Sequence, residues 1–243
     1  MRIFLNKAFV FSDYLKLSDQ QYHHLSRVLR IKVGEIVEVV VDENQLMVVK
    51  FSKFQDLCFF YELISTETLS CSHPQITLFQ VLPKQDKFMT IIDGVTQCGV
   101  SAIYPIITDR SLIKLNTKKK KEKLSRWRRQ AEQSAMQSKQ ISIPFIHPVD
   151  TFSNFIKNDL LSSYDLCLVA WEKGSAFTVK SYLDNHKTIK KIGVFVGPEG
   201  GISNYDVDCL VSKGFKIMTI GSTIVRVEIA ALIVVSQILF FYL

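Results

Sequence analysis

Three glycines within five residues mark the segment best suited to chemistry. Gly197-Pro198-Glu199-Gly200-Gly201 follows an apolar run at 192–196 and precedes Ser203, a helix-capping residue type. Glycines let a backbone approach a ligand closely and adopt positive φ. In open α/β sheets ligands bind beyond the carboxyl ends of strands, where such a loop must lie. The pattern is neither G-x-G-x-x-G nor a P-loop, since no Gly-Lys-Ser/Thr follows, so a phosphate cradle is weakly supported. A tight turn without ligand is the bland alternative. A second glycine loop, Ile220-Gly221-Ser222-Thr223, follows the run at 216–220. Two such loops at neighbouring strand ends favour a shared pocket. The second leads through Val225-Arg226-Val227-Glu228 into an apolar segment. Charges there are costly to desolvate unless paired or functional; the other reading is a solvated pair at a helix start.

Cationic residues form two further groups. Arg27, Arg30 and Lys32 lie beside His23 and His24, either as an ordinary solvated face or as a surface that contacts phosphates. Residues 114–129 hold Lys114, Lys118, Lys119, Lys120, Lys121, Lys123, Arg126, Arg128 and Arg129. Charges so spaced surround a helix rather than line one face, with Leu124 and Trp127 as its apolar contacts. A solvated helix is the default reading. The formal net charge of +7 supports a backbone clamp on a polyanion.

Metal chemistry finds no support. The five cysteines (Cys58, Cys71, Cys98, Cys167 and Cys209) form no C-x-x-C pair, and the histidines form no H-E-x-x-H. Scattered, reduced thiols and an N-terminus without a signal-peptide core fit a cytoplasmic protein. Residues 229–243 are almost wholly apolar but would span only ~22 Å as a helix, short of a ~30 Å bilayer core. A helix buried on all sides is expected in place of a membrane span, with a second subunit covering it if its own domain cannot.

These residues are positioned by two kinds of architecture. Residues 1–72 read as a small β-rich unit. Runs at 35–40 and 46–51 are separated by Asp42-Glu43-Asn44 in a hairpin, and Ser18 with Gln21 forms a capping box for a helix through Leu25. Residues 65–74 are turn-rich and read as a linker. Residues 73–243 alternate strands and helices, the pattern of an α/β domain. Strands are expected at 76–82, 102–107, 166–170, 192–196 and 216–220. One helix follows Asp86, with Phe88, Ile91, Ile92 and Val95 inward and Gly99 ending it. Another runs from Ser203 to Gly214, with Val207, Leu210 and Val211 inward.

Taken together the motifs resemble the RsmE family (ribosomal RNA small subunit methyltransferase E) of the SPOUT superfamily. The resemblance rests on HHLSRVLRIKVG at 23–34, LPKQDKFMTIIDGVTQCGVSAIYPIITDRSLIK at 82–114, Arg126-Trp127, Gln137-Ser138, VGPEGG at 196–201 and IGSTIVRVEIAAL at 220–232. It implies an N-terminal PUA-like β-barrel for RNA contact, a SPOUT α/β domain with a trefoil knot, and a homodimer. It implies S-adenosylmethionine held largely by backbone at Val196, Gly197, Pro198, Glu199, Gly200, Gly201, Ile220, Gly221, Ile224 and Val225, with help from the loop after 166–170. The expected reaction is methylation of uridine N3 in 16S ribosomal RNA of the 30S subunit. Arg226 and Glu228 are then the catalytic candidates, and Arg27, Arg30, Lys32, Lys84, Arg110 and Arg126 the RNA contacts.

The chain departs from the family pattern at several positions. Thr223 stands where an Arg is usual, and Val227 and Ile229 where Thr is usual. Gln133 and Met136 replace two Glu, and Gln97 replaces the Glu of Glu-Leu-Gly. These departures fall on the expected substrate side. They keep open two alternatives: a weakly catalytic ribosomal-RNA-binding assembly factor, and a SPOUT enzyme with another RNA target.

Overall fold

The computed structural model describes residues 1–70, 72–84, 86–111, 115–173, 177–184 and 188–242. Cys71 and Lys114, both noted above, lie outside them. The chain forms two compact units. Unit 1 is Met1–Cys71 with Ala135–Ser142, and unit 2 is Ser72–Ser134 with Ile143–Leu243.

Unit 1 is a curled five-stranded sheet of β1 (Arg2–Leu5), β2 (Tyr14–Lys16), β3 (Ile36–Val41), β4 (Gln45–Gln55) and β5 (Cys58–Thr68), in the order β1-β3-β4-β5-β2. The expected hairpin is β3–β4, and Asp42 and Glu43 take the positive φ that a tight hairpin needs. The expected linker is shorter than the composition suggested. Ser65, Thr66, Glu67 and Thr68 continue β5, because β4 extends far enough to pair with them. Ser18 and Gln21 close the capping box of helix α1 (Asp19–His23), and a π-helical turn follows at His24–Val28. Alternate strand residues point inward to a core of Leu15, Val37, Val39, Val49, Phe51 and Phe59. The segment from Ala135 joins this unit through Arg2, whose guanidinium donates to the Lys139 and Gln140 carbonyls and pairs with Glu38 at 3.0 Å.

Unit 2 is built on a parallel sheet. Its elements in chain order are β6 (Gln75–Val81), α2 (Lys87–Cys98), β7 (Ala102–Ile107), α3 (Thr117–Gln137, whose last turn counts with unit 1), β8 (Phe145–Ile146), β9 (Asp150–Thr151), α4 (Phe152–Lys157), β10 (Leu166–Ala170), α5 (Val179–Leu183), β11 (Lys191–Val196), α6 (Asn204–Ser212), β12 (Lys216–Met218) and α7 (Val227–Phe240). The strand order is β12-β10-β11-β6-β7-β8, with β9 also on β7. Such strands are covered on both faces and read as continuous apolar runs, which is why they were legible. One face packs under α2 and α7. The other holds an aromatic cluster of Phe79, Phe155, Phe195 and Phe215. Gly99 ends α2 at φ +101, and Gly94 lets α7 approach, since a Cβ there would lie 3.3 Å from Leu232.

Helix α7 is apolar all round, yet in the single chain Ile229 is 43% and Phe240 78% exposed. One chain by itself therefore does not bury α7 on every side. One side packs on α2 and the sheet; on the other Ile229 and Phe240 stand exposed among the described residues. Among the described residues no helix is long and apolar enough to cross a membrane.

Candidate functional site

β10 lies between β11 and β12, and the loops after these three strands open side by side. With the first turn of α7 and Lys87 they line a cavity of about 600 Å³, within the ~300–1,000 Å³ usual for small-molecule sites. Its walls are residues 170–172, 196–202 and 219–227, together with Ala230.

The glycine loop is held from several directions. The Gly201 N–H donates to the Pro198 carbonyl at 2.9 Å, closing a turn that places Gly201 at φ +70. Gln80 on β6 is fully buried, and its Nε2 donates to the carbonyls of Val196 (3.3 Å) and Gly197 (3.4 Å). Arg110 donates to the Gly200 carbonyl at 3.1 Å. A Cβ at Gly197 would fall 2.5 Å from Cγ1 of the buried Ile202, so glycine is required there for packing.

Lys87 joins two parts of the wall. Its Nζ lies 3.0 Å from Glu199 Oε1 and 3.7 Å from Glu228 Oε2. It is the first residue of α2, where the helix dipole disfavours a cation, so these carboxylates offset an unfavourable position. Burial acts to raise the Glu199 carboxyl. Its own N–H, Lys87 and the Lys84 N–H outweigh burial and hold the group below the ordinary carboxylate value. Glu228 sits in the first turn of α7, on the favourable side of that helix's dipole. Arg226 is exposed at the N-cap of α7 and makes no ion pair among the described residues.

One wall residue, Trp171, carries a buried polar atom, Nε1, without a hydrogen-bond partner among the described residues; so does Glu228, at Oε2, beside the wall residue Val227. The donor left over at Trp171 suits a ligand that carries a hydrogen-bond acceptor. The same walls expose backbone groups and two carboxylates, Glu172 and Glu199. An uncharged apolar ligand would leave those groups unpaired; a polar ligand carrying positive charge would not. Among the described residues no His, Cys, Asp and Glu group could hold a metal ion.

The residues anticipated for cofactor binding and catalysis converge. Val196, Gly197, Pro198, Glu199, Gly200, Gly201, Ile220, Gly221, Ile224, Val225 and Arg226 all line this cavity, whereas Glu228 does not line it and reaches it only through Lys87. The anticipated RNA contacts are dispersed. Lys84 and Arg110 abut the glycine loop, and Arg126 makes an exposed pair with Asp86 at 3.3 Å. Arg27, Arg30 and Lys32 are exposed in unit 1, and Arg30 takes a φ of +52. Of the departing residues, Thr223 and Val227 line the cavity, whereas Gln133 is exposed elsewhere and Met136 packs on the core of unit 1. Sequence reasoning passed over Lys87, and anticipated Trp171 and Glu172 only as part of the loop after 166–170, without naming them. Only Lys87 left a signal, as a cation opening a helix.

Comparison with known proteins places this geometry in context. A family model described as RNA methyltransferase domain matches residues 71–239, and one described as RNA methyltransferase PUA domain matches residues 17–50. The ribosomal RNA small subunit methyltransferase E of Aquifex aeolicus is 30% identical over 226 residues, covering 92% of this chain and 93% of its own. That of Synechocystis is 28% identical, covering 91% of this chain and 71% of its own. The crystal structure of the Neisseria gonorrhoeae ribosomal RNA small subunit methyltransferase E bound to S-adenosyl methionine superposes with a TM-score of 0.84 at 21% identity, over 99% of this chain and 97% of that one.

Proposed function

The chain belongs to the ribosomal RNA small subunit methyltransferase E family, and from that premise we propose that it transfers a methyl group from S-adenosylmethionine to N3 of a uridine in 16S ribosomal RNA of the 30S subunit. The observation that carries this reading is the three-loop cavity, whose exposed backbone and carboxylates suit a cationic, polar cofactor. The backbone of 196–201 and 220–225 would hold it. When bound, the cofactor supplies an electrophilic methyl group.

Uracil N3 is a poor nucleophile until its imide proton leaves, and the charge then spreads to O2 and O4. Arg226, exposed at the cavity rim and not engaged in an ion pair, suits the stabilisation of that charge. Glu228, which shares Lys87 with Glu199, suits either the positioning of Arg226 or acceptance of the proton. The uridine must present its Watson–Crick edge, so it must be unpaired or flipped out.

The remaining parts of the reading follow the family. Unit 1 would be a PUA-like barrel that contacts RNA, through Arg27, Arg30 and Lys32, with Lys84, Arg110 and Arg126 adding contacts from unit 2. The loops of the cavity would belong to a trefoil knot, and the protein would act in the cytoplasm. The uncovered side of α7, with Ile229 and Phe240 exposed, supports a homodimer built on that helix. Thr223 and Val227 in the cavity wall keep one alternative, an RNA-binding assembly factor that turns over slowly.

Labelled S-adenosylmethionine with undermodified 30S subunits tests the proposal. Label in 16S RNA, with a primer-extension block at one uridine, is the expected result. Cofactor binding without label in RNA would favour the assembly factor. An Arg226→Ala variant should bind cofactor normally and turn over slowly; wild-type turnover removes Arg226 from its role.

A further inference from the structure

On unit 1 a row of aromatic rings crosses the sheet face opposite the core. Tyr14 on β2 stands across from Phe60 on β5, and Phe60 across from Lys53 on β4. Their strand neighbours Leu15 and Phe59 point the other way and are fully buried. The rings are in contact: Tyr14 and Phe60 have centroids 5.5 Å apart, and Phe11 lies over Tyr14 at 4.4 Å with an interplanar angle of 12°. Lys53 Nζ ends the row 4.9 Å from the Phe60 centroid.

The core does not require this row. Phe11, Tyr14 and Phe60 lie outside the buried cluster of unit 1, and Phe11 is 41% exposed. Yet the row is fixed. The Phe11 N–H donates to the Tyr14 carbonyl at 2.9 Å, and Tyr61 donates its hydroxyl to the Phe11 carbonyl at 2.7 Å. Pre-set rings lose little entropy when a flat partner joins them.

Charge indicates what that partner is. Lys16, Lys50 and Lys53 project from the same face, with Glu62 across from Lys50 and with Glu38, already paired to Arg2 and Lys139, on the neighbouring strand. The face therefore suits a ligand that alternates flat rings with negative charge. Residues 1–71 as a whole hold eight Lys and Arg against nine Asp and Glu. Unit 1 therefore has no charge excess with which to attract a polyanion from a distance, and its grip must come from close contact. We propose that Phe11, Tyr14 and Phe60, ended by Lys53, form a stacking platform for unpaired RNA bases, distinct from the cavity of unit 2. Base–aromatic stacking tolerates any sequence and needs single-stranded RNA.

Fluorescence anisotropy with the full chain tests this, using labelled decaadenylate and an abasic strand of equal length and charge. The wild type should bind decaadenylate about tenfold more tightly than the abasic strand. Phe11→Leu and Phe60→Leu keep apolar bulk but remove the ring. Each should lose most of that preference while its affinity for the abasic strand and its melting midpoint stay unchanged. Absence of a base preference in the wild type, or a preference that survives both substitutions, would overturn the proposal. So would an equal loss for both strands, or tighter binding of duplex RNA of the same length. Failure of methyl transfer to 30S subunits would count against the enzymatic reading and leave the platform standing.

Discussion

Replacing Gly197 with alanine adds one methyl group where the structure has no room for it. The new Cβ would lie 2.5 Å from Ile202 Cγ1 and 3.4 Å from the Ile202 nitrogen. Carbon atoms settle ~3.5–4.0 Å apart, so the overlap is about 1 Å or more. Ile202 cannot withdraw easily, because it is 4% exposed and packed in the aromatic cluster of the sheet. Relief must come from the backbone of residues 197–201. Overpacking of this kind costs ~1–3 kcal/mol, which lowers the melting midpoint by ~2–10 °C in a chain of this size. A shift of ~1 Å also misaligns backbone groups proposed to hold the cofactor. Losing one or two hydrogen bonds of ~1 kcal/mol each weakens binding roughly tenfold. Calorimetric titration with S-adenosylmethionine and thermal melts read the two effects. Gly200→Ala is the internal control, since a Cβ there meets nothing within 4 Å, and its midpoint should not fall. Gly197→Ala with wild-type affinity and a wild-type midpoint would refute the packing argument.

Three further outcomes are expected. Lys87→Met leaves Glu199 and Glu228 without their shared cation; it should slow methyl transfer and cost about 1 kcal/mol in urea melts, with Lys87→Arg restoring most of both. An undiminished rate in Lys87→Met would exclude Lys87 from the site. Glu38 and Glu199 both have carboxyls held low: burial acts to raise each, but Lys139 and Arg2 at Glu38, and hydrogen bonds with Lys87 at Glu199, outweigh it. A depressed folded value stabilises fully above the ordinary one, so the melting midpoint should hold from neutral pH down to the ordinary carboxylate value of 4.5 and fall below it, less steeply in Glu38→Gln. Gly193→Ala sets a Cβ 2.4 Å from the ring of fully buried Phe79 and should cost ~1–3 kcal/mol in denaturant melts, with cofactor affinity retained by the folded fraction.

What could be read from residues alone followed physical visibility. The parallel strands are buried on both faces, so β7 and β10 appeared at their full bounds, and glycines 197, 200 and 201 announced a backbone that must turn closely. Ser65–Thr68 were misread because their polar composition fits a turn; only pairing with β4 makes them strand. The attachment of residues 135–142 to unit 1 depends on Arg2 meeting Lys139 and Gln140, a contact between distant parts of the chain that no local pattern encodes. Helix α7 gave its length and depth but not its uncovered side, since a helix apolar all round has no periodicity to read. At the cavity, loops marked by glycine were found, whereas Trp171 and Glu172 carried no pattern of their own.

The pairing of β6 with β11 also governs time. These strands meet at the middle of the sheet, and Gln80 touches Val196 across 116 positions of sequence. Contacts so remote form slowly, because a long loop must close before any of them is rewarded. The β3–β4–β5 ladder of unit 1 joins sequence neighbours and can zip as soon as it is made. After dilution from denaturant, strand signal should therefore return in a fast phase, and capacity for S-adenosylmethionine in a slower one. During synthesis the same order holds. The cavity needs residues up to Ala230, so it cannot close until the last of its three loops has been made, long after the sheet of unit 1 is complete.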